Sequence, residues 1–139
     1  MDARLHVGDT VGPYRIVGEL GQGGMGVVYQ AVHELLCRPA AIKVLRPDLG
    51  PLAMASDRFL TEARATTAIR HPGIVEVYDY GHTPSGQAFI AMELLLGETL
   101  GERLRRGGAL RLVEALTIAR RIAGPLAAAH ERGVVHRDL

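Results

Sequence analysis

The hydrophobic pattern of the chain changes near residue 95. Before this point, short apolar runs alternate with polar positions at a period of two, and clusters of turn-forming residues interrupt them. After Gly97, apolar residues recur every three to four positions over longer stretches. A period of two is typical of half-buried strands, and a repeat of three to four is typical of helices with one buried face. The sequence therefore predicts a β-rich first part and a helical second part, joined by a hinge between Glu93 and Glu98.

The first part is predicted to contain five strands and one helix. The strands alternate apolar and polar residues or are rich in β-branched residues, and their expected bounds are 14–20, 27–32, 39–45, 74–80 and 87–94. A loop is expected over residues 47–55. The helix should follow it from an N-cap at Ser56 or Asp57 to about Arg70, where His71-Pro72-Gly73 ends it. This order favours an antiparallel sheet with the helix packed on it.

The second part is predicted to contain two helices. Their expected bounds are 100–106 and 112–132, and the longer helix carries an apolar stripe of Leu112, Leu116, Ala119, Ile122, Ala123, Leu126 and Ala127. Pro125 lies inside the longer helix, where its ring and its missing N–H should kink or split the helix. Residues 134–139 are expected to form a strand and the entry to a loop, and the polar residues 1–11 are expected to form a lead-in.

Composition and charge exclude several classes of function. The net charge of +1 argues against nucleic acid or an anionic membrane as the main partner, and four Tyr and two Phe are too few for a base-stacking platform. No apolar run approaches the roughly 18 residues of a membrane span, so no membrane segment is expected in this chain. The single Cys37 excludes an internal disulfide and favours a reducing compartment. We therefore expect a soluble, cytoplasmic protein, and the histidines show no spacing typical of a metal site.

Lysine is used once in the whole chain. Lys and Arg together number 16, and the only lysine among them is Lys43. In a chain that uses Arg wherever any positive charge is sufficient, a lone Lys indicates a site that needs a compact ammonium on a flexible stem. Chance survival of one lysine accounts for the count equally well, so the neighbouring residues have to decide.

A glycine-rich turn, Gly21-Gln22-Gly23-Gly24-Met25-Gly26, joins the first two predicted strands. Glycine-rich turns are often no more than turns. A dinucleotide-binding fingerprint needs a helix directly after the glycines, and a Walker loop needs Gly-Lys followed by Ser or Thr. Val27-Val28-Tyr29 follows here, which favours a strand. The nucleotide site that this pattern still permits is a hairpin whose backbone N–H groups close over phosphates.

The predicted helix places one carboxylate, Glu62, on a mainly apolar face. The residues that share this face by helical spacing are Phe59, Glu62, Ala65, Thr66 and Ile69. Glu62 is either a solvated residue that pairs with Arg58 or Arg70, or a carboxylate that holds Lys43 in place. An exposed pair of the first kind contributes little stability. The glycine hairpin and the lone lysine upstream favour the second interpretation.

Taken together, these signals occur in the order found in protein kinases. They are the hairpin with Val28 two places after Gly26, then Ala41-Ile42-Lys43, Glu62, His71-Pro72, the run 89–95 and His136-Arg137-Asp138-Leu139. Over about residues 12–139 the chain resembles a bacterial eukaryotic-like (Hanks-type) serine/threonine protein kinase. Ala40 departs from the Val-Ala-Ile-Lys signature of the family. The resemblance implies an α+β fold with a kinase N-lobe of five antiparallel strands and one helix over 12–95, after the lead-in 1–11, and a hinge and the truncated helical start of a C-lobe over 96–139.

The resemblance also implies a role for each matching residue. Three glycines would cover the phosphates of ATP: Gly21, Gly23 and Gly26. Lys43 would contact the α- and β-phosphates, and Glu62 would orient it. The adenine pocket would be formed by a roof of Leu20, Val28 and Ala41, by the gatekeeper Met92, and by the backbone of Glu93 and Leu95. Asp138 would be the catalytic base that accepts the proton of the substrate hydroxyl.

ATP and Mg²⁺ are the cofactors that the resemblance implies, with a protein as the phosphate acceptor. The family holds its metal ions with an Asn of the catalytic loop and with an Asp-Phe-Gly motif, and residues 1–139 contain neither at the matching place. The metal ligands are therefore expected beyond Leu139, none is assigned within the chain, and these residues alone are expected to be inactive. The alternatives are a non-catalytic nucleotide-binding or regulatory module derived from a kinase N-lobe, and a non-functional remnant that folds poorly.

Overall fold

A computed structural model describes residues 4–24, 26–46, 52–136 and 139, and for residues 52–56 and 62 it describes the backbone alone. The chain forms two compact units. The first unit contains Met1–Thr67 and Val75–Leu94, and the second contains Ala68–Ile74 and Leu95–Leu139.

The first unit is built on one antiparallel sheet of six strands. The strands are β1 (Thr10–Val11), β2 (Tyr14–Gln22), β3 (Gly26–His33), β4 (Pro39–Leu45), β5 (Val77–His82) and β6 (Ala88–Met92), in the spatial order β1-β2-β3-β4-β6-β5. The described residues of this unit form one helix, α1 (Leu52–Thr67), which lies between β4 and β5 in the chain and contacts β5 and β6. The predicted fold class, a kinase-like N-lobe sheet with one helix, is confirmed. The extra strand is the two-residue edge strand β1, which falls within the expected lead-in.

The two faces of the sheet bury different hydrophobic clusters. One face holds Val11, Tyr14, Ile16, Tyr29, Ala31, Ala40, Ile42, Val44, Phe89 and Ala91. The other face contributes Leu45, Ala88 and Ile90, which pack with Phe59 and Ala63 of α1. Because side chains alternate along a strand, neighbours such as Val44 and Leu45 belong to opposite faces. Burial in the first cluster raises the pKa of Tyr14. The helix therefore covers only one of the two faces.

The bounds of α1 differ from the prediction. The helix begins at Leu52, ahead of Ser56 and Asp57, so neither residue is the N-cap. Ala53, Met54 and Ala55 are good helix formers, and they extend the helix into the stretch predicted as loop. The helix also ends at Thr67, before His71-Pro72-Gly73. Residues 47–51 of the predicted loop lie outside the described part.

Two predicted strands are shifted. The fourth predicted strand, 74–80, is observed as Val77–His82, because Ile74 is held in a turn by its N–H, which donates to the His71 carbonyl at 3.0 Å. The fifth, 87–94, is observed as Ala88–Met92, and beyond it the N–H of Glu93 still donates to the Glu76 carbonyl at 2.8 Å. Hydrophobic pattern alone did not locate these ends.

The second unit contains α2 (Leu100–Gly107) and α3 (Leu112–Glu131). A capping box begins α2, since the Thr99 N–H donates to Glu102 Oε2 at 2.7 Å and the Glu102 N–H donates to Thr99 Oγ1 at 3.2 Å. The first of these bonds lowers the pKa of Glu102. Arg103 of α2 and Glu114 of α3 form an ion pair at 3.1 Å that connects the two helices.

Pro125 does not split the long helix, contrary to expectation. The helix is continuous from Leu112 to Glu131 with Pro125 inside it. The proline ring lies against the loop Ala68–Ile74, where a Cβ added to Gly73 would be 2.5 Å from the ring. Gly73 therefore has a packing reason that the sequence did not reveal. After the helix, residues 134–136 are neither strand nor helix, so the predicted strand is absent from this described stretch.

Among the helices of the described residues, none is long and apolar enough to cross a membrane.

Candidate functional site

The strand register gathers most of the predicted site residues on one face of the sheet. Val28 of β3 lies opposite Lys43 of β4, and Lys43 lies opposite Ile90 of β6. Ala41 of β4 lies opposite Met92 of β6. Residues directly opposite each other in an antiparallel pair share a face. The shared face is the one on which α1 packs.

The glycine-rich turn is the connection of a β-hairpin, as expected. Gly21 pairs with Val28 across β2 and β3, and the N–H of Gly23 donates to the Gly26 carbonyl at 2.9 Å. A Cβ added to Gly21 or Gly23 would meet no atom within 4 Å. The turn therefore presents its backbone to open space, which is the condition for close approach by a phosphate group.

Gly26 is required for a different reason. A Cβ at this position would overlap the backbone carbonyl oxygen of Val44 on β4. The third glycine of the motif thus lets β3 approach β4 closely at the end where Lys43 lies. Sequence reasoning grouped all three glycines as phosphate-covering residues and did not separate this packing role.

Lys43 reaches toward α1. Its half-buried side chain places the Nζ atom 5.5 Å from the centroid of the Phe59 ring, and Phe59 is almost completely buried. A cation over an aromatic face is attracted by the quadrupole of the ring. Within the described residues, no carboxylate lies within salt-bridge distance of Lys43.

Glu62 lies in α1 three residues after Phe59, and its side chain is outside the described part. Positions three apart on a helix are neighbours on one face. The ion pair of Lys43 with Glu62 therefore stays a prediction. The ammonium of Lys43 does lie near the ring of Phe59, one helical turn before Glu62.

The predicted adenine-pocket residues fall in both units. Met92 packs at the margin of the cluster between sheet and α1, and Ala41 is buried. Val28 is half-buried and Leu20 is 50% exposed. The N–H of Glu93 is already bound to Glu76, so the backbone group that Glu93 can offer a ligand is its carbonyl oxygen. Leu95 belongs to the second unit.

No metal centre is formed by the described residues. Nowhere in this part do three or more His, Cys, Asp or Glu side chains come together in a group that could hold a metal ion. The described residues thus provide no such group for Mg²⁺. Arg137 and Asp138 of the predicted catalytic loop lie outside the described residues.

A family model for the protein kinase domain matches residues 14–139. This chain belongs to the protein kinase family. The match includes the hairpin, Lys43, the α1 helix and the His136-Arg137-Asp138 motif, and the resemblance inferred from the motifs is thereby confirmed.

Several similar proteins are bacterial serine/threonine kinases. The chain is 38% identical over 138 residues to the serine/threonine-protein kinase PknD of Mycobacterium tuberculosis, covering 99% of this chain and 21% of PknD. It is 41% identical to PknA of the same species, covering 96% of this chain and 32% of PknA. Pkn2 of Myxococcus xanthus is 40% identical, with 92% of this chain and 15% of Pkn2 covered. The chain therefore spans a third or less of the length of these relatives.

Solved structures give the same family. The crystal structure of the PknI kinase domain of M. tuberculosis matches with a TM-score of 0.81 and 36% identity, covering 98% of this chain and 55% of that domain. The kinase fold of the first unit is thus supported independently of the motif order.

Two features near the site were missed in the sequence. The aromatic ring below Lys43 had a weak signal, since Phe59 shares a helical face with Glu62. A buried glutamine, Gln87, donates a hydrogen bond to the carbonyl of Leu45, two residues after Lys43. Nothing in the sequence indicates that bond, because 42 residues separate its partners.

Proposed function

We propose that this chain supplies the ATP-binding part of a serine/threonine protein kinase that transfers the γ-phosphate of ATP to protein hydroxyls. The observation that carries the proposal is the register of β3, β4 and β6, which aligns Val28 with Lys43 and Ala41 with Met92 on one face. Apolar side chains beside one ammonium suit a ligand that has an aromatic base at one end and phosphates at the other.

ATP fits the residues of this face. The glycine turn leaves open space at Gly21 and Gly23, where the backbone can approach phosphate oxygens. Lys43 is the one lysine of the chain, and its ammonium is a compact charge that can pair the α- and β-phosphates. We assign to Glu62 the task of holding Lys43 in that position, and to Gly26 a place in both the turn and the β3–β4 packing.

The base of ATP is assigned to the apolar residues and the strand end. Leu20, Val28 and Ala41 form its roof, and Met92 is the gatekeeper. The carbonyl of Glu93 accepts a hydrogen bond from the adenine amino group, and the N–H of Leu95 donates one to a ring nitrogen. The bond between the Glu93 N–H and the Glu76 carbonyl supports this assignment, because it holds the backbone on the N-terminal side of Glu93, directly before the carbonyl that would face adenine.

Asp138 is assigned as the catalytic base of the transfer, with His136 and Arg137 as structural neighbours. Its carboxylate would accept the proton of the attacking serine or threonine hydroxyl. Bound Mg²⁺ would neutralise the phosphate charge, and the described residues offer no site for it. A polypeptide of residues 1–139 alone is therefore proposed to be inactive, since transfer depends on that neutralisation and on a firmly positioned base.

The first test is a radiolabelled ATP transfer assay on the 139-residue polypeptide with a generic basic protein substrate. We expect no incorporation of label. Incorporation that disappears in Lys43→Met would contradict the proposed inactivity. Incorporation that persists in Lys43→Met would point to a contaminating kinase, and the assay would then be repeated after further purification.

The second test supplies the missing groups by joining the C-terminal part of the PknI kinase domain after Leu139. We expect this chimaera to phosphorylate protein and Lys43→Met to abolish the activity, while Arg120→Met, on the exposed surface of α3, leaves it unchanged. A chimaera with near-normal turnover in Lys43→Met would refute the assignment of Lys43. A folded chimaera that binds ATP without any transfer would favour the alternative, a nucleotide-binding or regulatory module.

A further inference from the structure

A buried polar network lies at the turn between β5 and β6. Thr83 and Gln87 are 4% and 6% exposed and are the buried polar residues of the described part. The backbone N–H of Gln87 donates to Thr83 Oγ1 at 3.1 Å, and the N–H of Thr83 donates to the Gln87 carbonyl at 2.8 Å. The hydroxyl of Ser85 donates to Gln87 Oε1 at 3.0 Å. These bonds fix the orientation of the Gln87 amide.

The free end of that amide reaches a different strand. Gln87 Nε2 donates to the backbone carbonyl of Leu45 at 3.1 Å, and Leu45 is the last residue of β4. Both residues are buried, so water does not compete for this carbonyl. The β5–β6 turn therefore holds the end of β4 through one side chain.

Leu45 stands between the two nucleotide-binding features of the first unit. It pairs with Gly26, the last glycine of the turn, and it follows Lys43 by two residues on the same strand. Gly26 in turn lies so close to Val44 that a Cβ would overlap the Val44 carbonyl. Any displacement of the end of β4 consequently moves the base of the glycine turn and the root of Lys43 together.

We propose that Gln87 is a positioning residue for nucleotide binding, which acts through the Leu45 carbonyl on Gly26 and Lys43. The proposal rests on the proposed function, namely that this face binds ATP. Glutamine suits the role because its amide offers a donor to Leu45 and an acceptor to Ser85 at once. A side chain of equal size without the donor takes this partner away from the buried Leu45 carbonyl, and a shift of β4 is the way to replace the lost bond.

The test compares Gln87→Met with Tyr29→Phe. Each variant removes one side-chain hydrogen bond to a backbone group, because the Tyr29 hydroxyl accepts the N–H of Leu5 at 3.2 Å. Tyr29 lies in the cluster on the opposite face, away from Lys43. Binding of a fluorescent ATP analogue to the 139-residue protein is measured together with thermal unfolding and with hydrogen exchange of the peptide over residues 21–28.

We expect Gln87→Met to weaken binding of the analogue by about tenfold. This is the size of effect that the loss of one charge-assisted contact to a phosphate would have. In Gln87→Met, hydrogen exchange over residues 21–28 should become faster even without nucleotide. Tyr29→Phe should lower the unfolding temperature by a comparable amount but change neither analogue binding nor this exchange. Ser85→Ala removes the hydroxyl that bonds Gln87 Oε1 and Thr83 Oγ1 but leaves the donor that bonds Leu45, so it should move both readouts less and in the same direction.

The outcomes separate the two ideas. If the unchanged protein binds the analogue and Gln87→Met binds it equally well with unchanged exchange, the positioning role is wrong and the proposed function stands. If the unchanged protein and Lys43→Met bind equally or not at all, the proposed function fails, while faster exchange in Gln87→Met would still support the structural link. If Gln87→Met does not fold, Ser85→Ala decides by the same two readouts, and no change in either one would overturn the proposal.

Discussion

Gly26 shows how one residue type can serve two needs in a single motif. Gly21 and Gly23 face open space, whereas Gly26 faces the Val44 carbonyl of the neighbouring strand β4. The first two glycines matter for what approaches from outside, and the third matters for packing within the sheet. Substitutions at these positions should therefore separate folding from binding.

Gly26→Ala is expected to destabilise the protein by about 1–3 kcal/mol, because the added methyl group forces the two strands apart. Gly18→Ala on β2 is the matched control, since its Cβ would meet no atom within 4 Å. Chemical denaturation followed by circular dichroism measures both variants. Equal free energies of unfolding for Gly26→Ala and the unchanged protein would show that the close approach is not rigid.

At the scale of elements, the two parts of the chain are stabilised differently. The strands and α1 bury two continuous hydrophobic clusters. Helix α2 has no buried residue, and its order depends on its capping box and on ion pairs such as Arg103 with Glu114. Local polar contacts of this kind respond to substitution of single residues and to pH.

Thr99→Ala is expected to destabilise α2 by about 1 kcal/mol, because it removes the N-cap acceptor for the N–H of Glu102. Helix content measured by circular dichroism should fall. Thr117→Ala is the control, because its hydroxyl donates to the Val113 carbonyl within α3 and caps no helix end. A larger loss of helix in Thr117→Ala than in Thr99→Ala would contradict this account of α2.

The same capping box predicts a pH dependence. The pKa of Glu102 is lowered by the hydrogen bond from the Thr99 N–H, so the folded state binds the proton less readily than the unfolded state. The contribution to stability is complete above the ordinary Glu pKa and is lost as the pH falls through the lowered folded pKa. In Glu102→Gln, thermal unfolding followed from pH 6 downward should show a smaller acid-induced loss than in the unchanged protein, and identical pH profiles would count against the capping box.

At the scale of the whole molecule, the second unit leaves large apolar side chains in water. Leu112, Val113 and Leu116 at the start of α3 are 73%, 73% and 61% exposed. Contiguous exposed apolar surface favours association. The chain also spans only 55% of the PknI kinase domain that it matches.

Replacing Leu112 and Leu116 together by Gln is expected to raise the protein concentration at which static light scattering detects association. The reason is that two large apolar side chains leave the exposed surface of α3 while the helix keeps good helix formers. Val7→Gln is the control, since Val7 is also 72% exposed but lies in the N-terminal segment. Equal onset concentrations in the double variant and in Val7→Gln would show that α3 does not drive association.

Much of the architecture was determined by sequence alone. Period-two alternation and runs rich in β-branched residues predicted five of the strands, and the order of motifs from Gly21 to His136 identified the family. Each of these signals depends on residues that are close together in the chain. Strand and helix ends were less accurate. Ser56 and Asp57 have side chains suited to an N-cap, yet α1 begins before them at Leu52. Residues 53–55 are good helix formers and extend the helix toward the N-terminus, so Ser56 and Asp57 lie inside the helix and cannot cap it.

Only the tertiary structure decided what depends on contacts between distant segments. Three contacts join residues on different elements: the close approach of Gly26 to Val44, the Phe59 ring at Lys43 and the bond from Gln87 to Leu45. Pro125 follows the same rule, because its ring is accommodated by the absence of a side chain at Gly73. A periodic pattern specifies which face of a strand or helix is buried, but strand register and helix packing determine which atoms meet there.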